Sequence, residues 1–249
     1  MIMGRYVLKL AYNGTNYHGW QMQDNAHTVQ SEITEKLSLL LKEQICITGC
    51  GRTDTGVHAS EFFAHFDIDN LCYSEKDLLH KLNNFLPEDI VIYELFHVSS
   101  DFHTRFSAIS RTYSYYISQI KNPFKLSTSY YFNVNLDVDA MNKACGYLLA
   151  YTDFTSFSKL HTQTATNNCR IEMAGFEIVD KELVFTITAD RFLRNMVRAI
   201  VGTLIEIGKG KLSAEAMKKV IEAKDRSGAG YSVPAHGLFL EKVVYPNIG

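Results

Sequence analysis

The chain is poor in the features that would take it out of the ordinary soluble class. It has only 4 prolines in 249 residues and no low-complexity run, so no long interdomain linker is expected. No apolar stretch approaches the about 18 residues a membrane-spanning helix needs, and no span is expected. The first ten residues are broken by Arg5 and Lys9, too short and too charged for the apolar region of a signal peptide. The 5 cysteines (Cys46, Cys50, Cys72, Cys145, Cys169) are odd in number, scattered and without a C-x-x-C pair. They suit free thiols in a reducing cytoplasm, the expected compartment, rather than a disulfide framework. The nine histidines form no ligand pattern with cysteine, so no metal is expected. A strong excess of either charge is also lacking. A net charge of −2 and a pI near 6.5 argue against a broadly basic surface, although phosphate binding needs only a local basic patch.

What is present is a regular succession of strand and helix patterns. Tyr6–Tyr12 alternates as a strand, and the helical spacing of Val29, Ile33, Leu37, Leu40 and Leu41 predicts a helix over 28–43 capped by Thr28. Strands are predicted over 45–50, 61–68 and 89–98, with a helix over 74–86 opened by Ser74 and Asp77. Further strands are expected over 111–120, 170–179, 183–189 and 238–245, the middle pair as a hairpin. Helices are expected over 137–151, 192–207 and 213–223. The order repeats loosely. This predicts an α+β fold of two similar halves, residues 1–105 and 106–249, with mixed or antiparallel sheets, flanking helices and a hinge near 100–110.

Three stretches carry candidate chemistry. Gly51-Arg52-Thr53-Asp54-Thr55-Gly56-Val57-His58-Ala59 clusters Arg, Asp and His between two apolar strands. Its Asp-Thr-Gly is also the tripeptide of aspartic proteases, but a proteolytic dyad needs a second carboxylate and one neutral partner. Here the tripeptide occurs once, two residues after the fixed cation Arg52. A simple loop with an Asx-turn at Asp54 is the plain alternative. The second stretch, around Arg191, Arg194 and Arg198, sets three arginines at the edge of an apolar stripe running from Leu193 to Leu204. Such arginines can meet a carboxylate or phosphate bidentately, or can merely form a solvated cationic edge. The third, Phe102-His103-Thr104-Arg105-Phe106 with Arg111-Thr112-Tyr113-Ser114-Tyr115-Tyr116, interleaves arginines with aromatics. It suits RNA stacking and phosphate contact, or an ordinary strand with Tyr113 and Tyr115 packed on one face.

The nine-residue stretch resembles the G-R-T-D-x-G-V-H-A signature of the tRNA pseudouridine synthase A (TruA-type) family. Other blocks follow in that family's order, from Tyr12-Asn13-Gly14-Thr15 and Gly19-Trp20-Gln21 to Met196-Val197-Arg198 and Gly237-Leu238-Phe239-Leu240. Met22 stands where many relatives carry Arg, and Thr55 where Ala is frequent.

The resemblance implies a pseudouridine synthase-like fold with a catalytic cleft between the halves. It implies isomerisation of uridine to pseudouridine at uridines thirty-eight to forty of the tRNA anticodon stem-loop, by a homodimer and without cofactor or metal. It gives Asp54 the essential carboxylate, Tyr113 the packing on the target base, and Arg198 the cation expected to pair with Asp54. Leu238 would bound the base, and Arg52, His58, Arg105, Arg111 and Arg194 would contact the substrate. The carboxylate can add to the base, or remove a ribose proton and stabilise charge at C1′. The alternative implied by the fold alone is a catalytically silent RNA-binding protein. A carboxylate hydrolase using Asp54 with His58 or His103 would need a second acid, and none stands out.

Overall fold

The computed structural model describes residues 4–159 and 166–246. The chain gathers into two compact units. One holds the residues up to Ile109 together with those from Leu240 onward; the other runs from Ser110 to Phe239. The class is α+β, as the strand and helix periodicities predict.

In the first unit β1 (Gly4–Tyr12) runs antiparallel to both β3 (His58–Ile68) and β4 (Ile90–Val98). Short β2 (Thr48–Gly49) also pairs with β3. The expected strand over 45–50 thus shrinks to two paired residues, although Ile45, Ile47 and Cys50 are buried. Their side chains fill the core, and the Cys50 N–H still donates to the Phe63 carbonyl of β3 at 2.8 Å. Helix α1 (Val29–Leu41) starts where predicted, because the Thr28 hydroxyl accepts from the N–H of Ser31 in a capping box. Val29, Ile33, Leu37 and Leu41 are its buried face. Helix α2 (Glu75–Phe85) is capped by Ser74, which accepts from the N–H of Asp77, and packs on α1 and β4.

In the second unit β5 (Ser110–Ser118) is antiparallel to β8 (Glu182–Ala189), which pairs with β7 (Ile171–Val179). The β7–β8 hairpin closes through Asp180 and Lys181, both at positive φ (48° and 69°), the conformation a tight two-residue turn needs to follow strand twist. Two-residue β6 (Tyr130–Tyr131), which no periodicity announces, pairs parallel to β5 and makes this sheet mixed. Helix α3 (Val138–Leu148) packs on β7, on α4 (Met196–Gly208) and on α5 (Ala216–Ala223). The apolar stripe of α4 is buried as expected, from Met196 and Val197 to Ile200, Val201 and Leu204. The helix nevertheless starts at Met196 rather than Phe192. Asn195 sits in the left-handed region at φ 67°, which interrupts helical winding, so Arg191 and Arg194 precede the helix and only Arg198 belongs to it. The closing strand β9 (Leu238–Val244) places its later residues beside β3 in the first unit.

Candidate active site

The residues from Gly51 to Val57 form the connection into β3, with Asp54 half-buried at its centre. The turn is closed by its own backbone: the N–H of Val57 donates to the Asp54 carbonyl at 3.1 Å, and Gly56 takes φ +76°, a conformation that suits glycine. The segment from Tyr12 to Gln21 braces it. The Tyr12 and Thr53 hydroxyls meet at 2.8 Å, and the N–H of Trp20 donates to the Thr53 carbonyl at 3.2 Å. Two glycines allow this contact. A Cβ on Gly14 would lie 2.0 Å from the Val57 carbonyl oxygen, and one on Gly19 (φ +88°) would lie 2.4 Å from that of Thr53. The backbone carrying Asp54 is thereby fixed by residues far from it in sequence, and that pre-organisation is what a positioned carboxylate requires.

Two other expected site residues flank Asp54. Exposed Arg52 donates from Nε to the Gln21 side-chain oxygen at 3.1 Å. His58 is buried, and its Nδ1 accepts from the N–H of Gly14 at 3.0 Å.

Arg105 lies in the same unit on the segment 101–107. It is exposed, with its guanidinium 5.5 Å from the centre of the Phe106 ring. Behind it, His65 hydrogen-bonds the Thr104 hydroxyl at 2.8 Å. Burial, aided by Arg5 and His103 and opposed by Asp67, pushes the His65 pKa down to about 4.

The second unit carries the remaining positions. Tyr113 lies on β5 opposite Ile187, and Phe192 stands edge-on to its ring at 5.1 Å. Its neighbour on the same strand face, Tyr115, is wholly buried and donates its hydroxyl to the Pro234 carbonyl at 2.8 Å, a packing role. Arg111 donates to the Asp190 carbonyl at 2.8 Å. Arg198 donates from Nε to the Val233 carbonyl at 2.7 Å, which orients the head of α4. Arg194 is exposed, and Leu238 is buried at the start of β9. Phe192, Val233 and Tyr17, whose carbonyl accepts from the N–H of Gly56, were not foreseen as supports. Their contacts are with backbone or ring edges and leave no local pattern.

Among the described residues no group of three or more His, Cys, Asp and Glu side chains is arranged to hold a metal ion, and no helix is long and apolar enough to cross a membrane. Among the described residues none of the five cysteines is in a disulfide. Burial pushes the thiols of Cys145 and Cys169 up to about 12, which keeps them protonated and inert.

A family model described as tRNA pseudouridine synthase matches residues 144–246. The chain is 52% identical over 244 residues to the tRNA pseudouridine synthase A of Parabacteroides distasonis, covering 98% of this chain and 97% of that one. It is 51% identical over 248 residues to the namesake of Porphyromonas gingivalis, covering 98% of each. It is also 51% identical over 245 residues to that of Azobacteroides pseudotrichonymphae, again with 98% of each covered. Identity at this level over nearly the whole of each protein leaves no room for a borrowed domain, and the chain belongs to the tRNA pseudouridine synthase A family, as an isomerase of α+β pseudouridine synthase fold.

Proposed function

We propose that this pseudouridine synthase acts on uridines thirty-eight to forty of the tRNA anticodon stem-loop, as a cytoplasmic homodimer that needs neither metal nor cofactor. The N-terminal half supplies Asp54 and the C-terminal half supplies Tyr113 and Arg198. One observation carries the reading: a single Asp on a turn braced by two obligate glycines, in a chain about half identical from end to end to proteins named tRNA pseudouridine synthase A.

The reaction breaks the C1′–N1 bond of a uridine, turns the base and rejoins it through C5, so the C5 proton leaves and no redox equivalent is consumed. A stacked uridine cannot reach a carboxylate. The base is extruded first, at a cost of a few kcal/mol. Asp54 then acts on base or ribose. Arg198 is the fixed cation that pairs with the Asp54 carboxylate. Tyr113 packs on the target base and relays the C5 proton, and Leu238 bounds the base. Arg52, Arg105, Arg111 and Arg194 hold the RNA through phosphate contacts that offset the extrusion, whereas His58, expected as a further substrate contact, is 1% exposed and serves to brace the turn through Gly14.

The test is tritium release from C5-tritiated uridine in tRNA on mixing with the purified protein, with the modified positions then mapped. Wild type should release tritium from the anticodon arm. Asp54→Asn should release none while binding the RNA within about tenfold of wild type, because phosphate contacts survive the loss of the carboxylate. Binding without release by wild type would identify a silent RNA-binding protein. Wild-type release by Asp54→Asn would remove the assignment of the carboxylate.

A further inference from the structure

Phe106 is 75% exposed on a segment whose neighbours are all held in place. Arg5, paired with Asp67 at 2.7 Å, donates to the carbonyls of Ser100 and Phe102 at 2.8 and 2.7 Å. The Thr104 hydroxyl donates to the Thr48 carbonyl at 3.0 Å, and the Thr104 carbonyl accepts from the Tyr245 hydroxyl at 2.6 Å. The turn itself is closed by Ser107, whose N–H donates to the His103 carbonyl at 2.8 Å and whose hydroxyl accepts from the His103 N–H at 3.0 Å. The phenyl ring therefore projects from a backbone with little freedom left to lose.

Two groups attend the ring. The His103 imidazole lies 4.4 Å from it, centre to centre, and the Arg105 guanidinium 5.5 Å. Burial lowers the pKa of His103, so it supports the phenyl as a neutral aromatic rather than as a second cation. A flat apolar face with a guanidinium beside it matches the two ends of a nucleotide: a base offers a π-face to the phenyl, and its phosphate offers charge to the arginine. An aromatic held rigidly before binding also loses little conformational entropy when a base covers it.

We propose that Phe106 is a positioning residue on which a nucleobase of the RNA stacks. The inference rests on the reading above that the substrate is RNA. The phenyl carries no proton to transfer, so its contribution lies in holding the RNA in register.

The test measures the affinity of a fluorescent anticodon-arm RNA for wild type, Phe106→Ala, Phe106→Leu and Phe106→Trp across a salt series, with tritium release followed in parallel. Phe106→Ala should weaken Kd roughly 5- to 150-fold, the range of one base–aromatic stack. Its log–log salt slope should equal that of wild type, because a stack releases no counterions. Phe106→Leu, which keeps apolar area and loses the π-face, should weaken binding nearly as much. Phe106→Trp should bind as wild type does, and its indole emission should be quenched by RNA. The native Trp20, the only tryptophan of the chain and 1% exposed, provides the unresponsive background. Melting temperatures should not differ among the variants, since the ring is exposed. Wild-type affinity in Phe106→Ala, full affinity in Phe106→Leu, or an altered salt slope would each overturn the stacking role. If wild type still released tritium in that case, the function would stand without it. A wild type that failed to bind the RNA would overturn both.

Discussion

The Nδ1 atom of His58 accepts a hydrogen bond from the backbone N–H of Gly14 at 3.0 Å. A ring nitrogen that accepts carries no proton, so the contact holds only while Nδ1 is deprotonated. His58→Ala leaves the Gly14 N–H buried without this acceptor and is expected to cost about 1–3 kcal/mol of stability. Chemical denaturation checks this. An unchanged midpoint would remove this bracing role from His58.

The two glycines that brace the Asp54 turn predict a contrast with a third. Gly14→Ala and Gly19→Ala force a Cβ to 2.0 and 2.4 Å from carbonyl oxygens, and at Gly19 also into φ +88°. Each is expected to destabilise by more than about 1 kcal/mol. A loop displaced by about 1 Å can cost on the order of a hundredfold in rate. A Cβ on Gly51 would meet nothing within 4 Å, so Gly51→Ala should leave stability within about 0.5 kcal/mol. Paired melting and tritium-release measurements on the three variants decide it, and equal behaviour of all three would remove the bracing role.

The His65 pKa, pushed from 6.5 down to about 4 by burial, sets a pH window. Between those values the unfolded chain binds the proton and the folded chain does not. Stability therefore rises with pH across the window and is lost as pH falls from about 6.5 toward 4, because the buried imidazole resists a charge that the unfolded chain accepts. Asp67, held low by Arg5, is lost only in more acid solution. His65→Asn should flatten the stability profile between pH 4 and 6.5 in urea titrations. A wild-type slope in the variant would assign the window to another group.

Tyr113 meets Phe192 edge-on at 5.1 Å, a contact that steadies its ring, and the proposed relay of the C5 proton falls to its hydroxyl. Tyr113→Phe is expected to lower the single-turnover rate on the order of a hundredfold, the lower end of what a positioned proton relay contributes. Tyr113→Ala should in addition weaken RNA binding roughly 5- to 150-fold through the lost stack. A near-normal rate for Tyr113→Phe would confine the residue to packing.

Elements whose cause is local were legible in the sequence. Thr28 and Ser74 cap α1 and α2 because a hydroxyl next to a free N–H needs nothing from elsewhere. The α4 stripe from Met196 to Leu204 is buried because an apolar helical face has nowhere else to go. The motif from Gly51 to Ala59 likewise marks Asp54 as the candidate carboxylate from sequence alone. Tertiary structure decided the rest. It cut the strand over 45–50 to Thr48–Gly49, moved the start of α4 past the left-handed Asn195, and added β6 beside β5. It returned the residues from Leu240 to the first unit and set Gly14 and Gly19 against the turn that carries Asp54. Each of these depends on a partner distant in sequence, and a strand edge or a glycine bears no local sign of what will pack against it.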